Sequence, residues 1–221
     1  ARGFSIDRIV FFSDAVFAIA ITLLALNVRL PDGRVLSSDA ALLAALGDLL
    51  PELFAFVISF IVIAAFWLGH YRAFRVLVGA NTRLVWLNFA FLLFVALLPF
   101  PTSVVAGHAD LVAAVVLYAG FVALTGILSA VVWIYAAQVA RLTRPTVTPE
   151  LARHVTIRAL TVPVMFGLSI PLAFLSPQAA EISWLLVAPA EHLVSRRFGL
   201  GVALDPPVAG ALGGGADPAT S

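Results

Sequence analysis

Long apolar runs broken by short polar stretches pattern this chain. Ile9 to Val28 is almost wholly apolar, with Ser13, Asp14, Thr22 and Asn27 as its polar content. About 20 apolar residues cross a bilayer core as a helix, so this run predicts a first span. A polar stretch from Arg29 to Ser38, with Pro31, Asp32 and Gly33, ends it. Pro51 to His70 predicts a second span, proline suiting a first helical turn, and the amphipathic approach from Asp39 to Leu50 can belong to the same helix. Leu84 to Val105 predicts a third, kinked or ended by Pro99 and Pro101. Leu111 to Val139 predicts a fourth, long enough to tilt or project beyond lipid. Val155 to Leu175, interrupted by Pro163 and Pro171, predicts a fifth. Ala179 to Val194 is the weakest, because Glu181, Pro189, Glu191 and His192 make it short and polar. Six spans are expected, with five as the alternative.

The expected fold is therefore all-α and polytopic. Residues 1–195 form one six-helix transmembrane domain, and 196–221, rich in Gly, Pro and Ala, form a disordered tail. Composition agrees: 62% hydrophobic and 11% charged residues lie far from the soluble range of roughly half apolar and a quarter charged. The first run is too long for a signal-peptide core and is expected to remain in the mature protein. With no cysteine, disulfides, thiolate metal sites and cysteine catalysis are excluded. A net charge of +1 with no basic block gives no reason to expect nucleic acid.

Charge placement sets orientation. Arg2 and Arg8 precede the first span, and Arg72, Arg75 and Arg83 lie between the second and third. Arg141, Arg144, Arg153 and Arg158 lie between the fourth and fifth, and Arg196 and Arg197 follow the sixth. The alternate loops hold only Arg29 and Arg34, so both termini are expected in the cytoplasm.

An ionised carboxylate at membrane depth costs ~2.5–3.5 kcal/mol on insertion scales, which makes Asp14 a functional candidate. At about 100° per residue, Ile19, Thr22, Leu23 and Leu26 fall within about 60° of one line on the first helix. Extended backwards, that stripe takes in Val16, Ala15, Phe12 and Arg8, while Ser13 and Asp14 point away from it. Packing of both faces against other helices in an ordinary bundle is an equal reading of the same pattern. Trp67 and His70, three residues apart, share a face of the second span, and Asn88 sits one turn into the third at a depth similar to that of Ser13 and Asp14. With Arg8 they can close a buried network, although Trp67 and His70 are equally read as interfacial anchors.

Arg8, Phe12-Ser13-Asp14 and the following Ala-Val-Phe-Ala-Ile-Ala-Ile-Thr resemble the signature of the transmembrane protein 175 family, the endosomal and lysosomal potassium channels and their prokaryotic relatives. The likeness continues through Phe66-Trp67-Leu68-Gly69-His70-Tyr71-Arg72, Leu87-Asn88-Phe89 and Leu97-Leu98-Pro99-Phe100, covering the first three spans. It implies a homotetramer of six-span subunits in a prokaryotic cell membrane, with the first helix lining a central pore. Ile19 then corresponds to the family's hydrophobic constriction, Thr22 to its pore threonine, and Leu23 and Leu26 to further apolar layers. The polar network falls on Arg8, Phe12, Ser13, Asp14, Trp67, His70 and Asn88.

The sequence has no Thr-Val-Gly-Tyr-Gly filter loop, and the stripe offers no carboxylate ring. The expected function is a potassium-selective or weakly selective cation channel, with dewetting at Ile19 and the Thr22 hydroxyls near the ion. The expected partners are further copies of the chain, lipid and monovalent cations; no resident cofactor, metal or catalytic residue is expected. The alternatives are a proton channel or a proton-coupled carrier using Asp14 and His70. A membrane enzyme using Glu181, Glu191 and His192 is disfavoured, because adjacent Glu and His point to different helix faces.

Overall fold

The computed structural model describes residues 5–26, 28–30 and 38–198. Asn27, the Pro31-Asp32-Gly33 break and residues 199–221 of the expected tail lie outside them. The first run forms α1 (Ile6–Ala25), where Asp7 in the opening turn complements the helix dipole. The amphipathic approach to the second span is a helix of its own, α2 (Asp39–Asp48), capped by the Ser38 side chain. It stops at Leu49, whose N–H donates to the Leu46 carbonyl, three residues back. Pro51 has no N–H to continue the ladder, and α3 (Leu50–Arg75) starts afresh around it.

Proline sets the breaks further on as well. The third run divides at Leu98 into α4 (Thr82–Leu97) and α5 (Pro99–Gly107). α6 (Val112–Ile134) continues as a five-residue π-helix, Tyr135–Val139, in which the Ala140 N–H donates to the Tyr135 carbonyl. It ends at Arg141, whose positive φ of 52° reverses the chain. The fifth run begins before its expected start, as α7 (Pro149–Ala159) capped by Thr148, and resumes after Leu160 as α8 (Thr161–Ala173). Pro163 cannot donate to Ala159, which accounts for the break.

Among the described residues, five helical stretches are long and apolar enough to cross a membrane: Ile6–Ala25, Leu50–Arg75, Thr82–Gly107, Val112–Val139 and Pro149–Ala173. The sixth expected span is instead two short helices, α9 (Pro177–Trp184) and α10 (Val187–Arg197), parted at Leu185 and Leu186. Arg196 and Arg197, assigned to the tail in sequence, close α10.

α6 is the centre of the bundle, packing against α3, α4, α5, α7, α8 and α9. It approaches α8 closely at Gly126, where a Cβ would stand 2.7 Å from Pro163 Cδ. Proline's ring cannot swing aside, so Gly126→Ala is expected to cost on the order of 1–3 kcal/mol as an overpacked core does. Thermal unfolding in detergent measures this, and an unchanged melting temperature would show that the helices part freely. At the Arg-rich end, Val78 N–H donates to the Leu142 carbonyl and Arg144 N–H to the Val76 carbonyl, tying the turn after α3 to the turn after α6.

Candidate pore helix and its polar brace

α1 packs against α3, α4 and α5 along one stripe, burying Ile9, Ser13, Phe17, Ala20 and Leu24. These recur every three or four residues, so they share a face. The opposite face is open: Ile19 is 58% exposed, Leu26 55% and Leu23 40%, with Thr22 exposed between them. A large exposed apolar stripe needs lipid, another subunit or a dewetted conduit against it. The Thr22 hydroxyl donates to the Ile19 carbonyl at 2.8 Å. Its proton is thus directed into the helix, and its oxygen lone pairs face outward where a cation can meet them.

Behind α1 lies a directed chain of hydrogen bonds. The Ser13 hydroxyl donates to the Ile9 carbonyl at 2.8 Å, and Asn88 Nδ2 donates to Ser13 Oγ at 3.1 Å. Asn88 Oδ1 is 3.0 Å from His70 Nε2, and as an acceptor it requires the proton on that nitrogen. Ser13 and Asn88 are fully buried and His70 is 4% exposed. His70 also stacks on Phe74, with ring centroids 4.1 Å apart. The chain therefore joins α1, α3 and α4 through three side chains that would be costly to bury unpaired.

Asp14 belongs to a separate unit, accepting the Trp67 indole N–H at 2.8 Å. Trp67 stacks on Tyr71, over whose ring lies the Arg75 guanidinium at 5.8 Å. Asp14 and His70, paired in the proton-relay alternative, thus answer to different partners. Phe12 is half-exposed and packs edge-on against Phe89, with centroids 5.6 Å apart. Arg8 is exposed and is not joined to either unit. The structure does not bring it into the network expected from sequence, because its position in the first two turns places it on the open face.

A second buried polar cluster carried no signal in the sequence. Ser59 Oγ lies 2.9 Å from both Thr102 Oγ1 and the Tyr118 hydroxyl, linking α3, α5 and α6. Single hydroxyls inside apolar runs are common, and only the fold shows these three meeting. Of the residues weighed for an enzyme, Glu191 is 3.6 Å from Arg158.

A bundle of apolar helices long enough to cross a membrane, with polar side chains paired inside it, defines a multi-pass membrane protein. The profile of the endosomal/lysosomal potassium channel TMEM175 family matches residues 8–99. A protein of Streptomyces collinus named as a potassium channel is 34% identical over 174 residues, covering 76% of this chain and 82% of that one. Another so named, from Chamaesiphon minutus, is 33% identical over 163 residues, covering 72% and 77%. The crystal structure of the lysosomal potassium-selective channel TMEM175 homolog from Chamaesiphon minutus superposes with a TM-score of 0.68 at 27% identity, covering 89% of this chain and 97% of that one. The chain belongs to the TMEM175 family.

Proposed function

We propose that this protein is a potassium-conducting channel of the cell membrane, in which four copies of α1 surround a central pore. The single observation that carries this reading is the open face of α1: Ile19, Thr22, Leu23 and Leu26 are all exposed in the protomer while Ile9, Ser13, Phe17, Ala20 and Leu24 are buried against the bundle. The potassium-channel names borne by the Streptomyces and Chamaesiphon relatives supply the ion. Four Ile19 side chains form the narrowest point, where a ring without hydrogen-bonding groups expels water and bars ions when tight. One turn along, four Thr22 oxygens replace part of the hydration shell, favouring potassium as the more cheaply dehydrated ion. Leu23 and Leu26 extend the apolar wall.

The buried chain and the Asp14–Trp67 bond hold α1 at the angle the pore needs and stay out of the ion's path. α9 and α10 together complete a sixth passage, and both termini lie in the cytoplasm with the connections that carry Arg72, Arg75 and Arg83 and Arg141, Arg144, Arg153 and Arg158. The ion is cargo, and the scheme uses neither catalysis nor a resident cofactor.

Planar-bilayer recording of the purified protein under a potassium–sodium gradient tests the reading, and electrically silent membranes would overturn it. Thr22→Ala removes the oxygens and keeps the helix. It is expected to move the reversal potential toward the non-selective value, and an unaltered potential would take Thr22 out of selection.

A further inference from the structure

Away from α1, a groove of about 520 Å³ opens between α3 and the segment running from α7 to α10. On α3 its wall is Ile58, Ile61, Ala65, Leu68 and Arg72, spaced as one helical stripe. From Ile58 to Arg72 this stripe rises ~21 Å at the helical 1.5 Å per residue. One leaflet of a bilayer core is about 15 Å deep, half of ~30 Å, so the stripe spans an acyl chain and reaches headgroup level.

The two ends differ in chemistry. Around Ile58 the opposite wall is apolar, with Trp184 and Leu185; around Arg72 it carries Arg158, Glu191, His192 and Ser195. Two arginines and one glutamate line this end, so positive side chains outnumber carboxylates in the lining. The Arg158–Glu191 contact is long at 3.6 Å, and Arg158 Nε is buried without a hydrogen-bond partner among the described residues. Guanidinium nitrogens in such a place ordinarily find an acceptor.

We propose that this groove holds one phospholipid with an anionic headgroup, its phosphate at Arg158 and Arg72 and an acyl chain laid along α3 toward Ile58. Basic pockets between membrane helices recognise such headgroups by this combination of charge and apolar wall. The proposal rests on the chain being a membrane protein and does not depend on the pore.

Native mass spectrometry of the full chain in detergent tests it, with phosphatidylglycerol and phosphatidylcholine of identical acyl chains added in equal amounts. Phosphatidylglycerol adducts should exceed phosphatidylcholine adducts several-fold. In Arg158→Gln the preference should fall toward parity. The double variant Arg158→Gln with Glu191→Gln should do the same while leaving no lone buried carboxylate, so it decides if the single variant is unstable. Equal adducts on the unmodified protein overturn the proposal, as does a preference that survives both variants. Displacement of phosphatidylglycerol by millimolar inorganic phosphate also overturns it, by showing a free-anion site. None of these readouts depends on conduction, so a silent bilayer and an empty groove are separate failures.

Discussion

Ile19→Asn is expected to raise single-channel potassium current by about tenfold. The physical basis is the barrier of a dry constriction: an isoleucine ring offers water no hydrogen bond, so ions must pass a gap emptied of solvent. Asparagine is smaller and both donates and accepts, so it keeps water in the gap. Every ~1.4 kcal/mol taken from the barrier multiplies the rate about tenfold, and wetting one such ring readily supplies that much. Ile19→Leu is the matched control, since it keeps the ring apolar and its volume nearly constant; its current should stay close to the parent's. Planar-bilayer recording distinguishes the two variants. If asparagine leaves conductance where it was, Ile19 does not form the narrowest point.

The second large effect is expected from Asn88→Leu. Leucine has the same branched outline as asparagine and a larger volume, so the change removes the polar groups without opening a cavity. It removes the acceptor of the His70 N–H and the donor to Ser13, both within a buried chain. A buried group left without its partner costs roughly 1–3 kcal/mol, so the variant should lose on the order of 2–4 kcal/mol. For a chain of this size that amounts to a fall of roughly 5–10 °C in melting temperature. Thermal unfolding in detergent measures it. Melting at the parent temperature would mean that apolar packing alone sets the angle of α1.

How much was legible in the sequence differs by element. Apolar runs located the first five membrane-length stretches, and Pro51, Pro99 and Pro163 stand where helices restart. The sixth run was less legible, because Pro177 starts one short helix and Leu185–Leu186 gives no composition signal for the break. Periodicity put Ile19, Thr22, Leu23 and Leu26 on one face, and that face is open in the protomer. Depth alone placed Ser13, His70 and Asn88 at one level, where they are hydrogen-bonded. Depth does not give direction, however, which is why Arg8 was grouped with them and stands apart. Nor can it say that Asp14 turns to Trp67 rather than to His70. Ser59, Thr102 and Tyr118 were invisible because each is one hydroxyl in a different run, and meeting across three helices leaves no mark on local spacing.

The short bond from the Thr22 hydroxyl to the Ile19 carbonyl fastens two jobs to a single turn of backbone. Three positions apart, the two side chains differ by roughly 60° around the axis. In the proposed assembly, swivelling each inner rod by that amount would exchange oily stopper for oxygen crown at the centre line. Unblocking the passage and choosing among its travellers would then be one mechanical act, and a variant that loosens the first could not leave the second untouched.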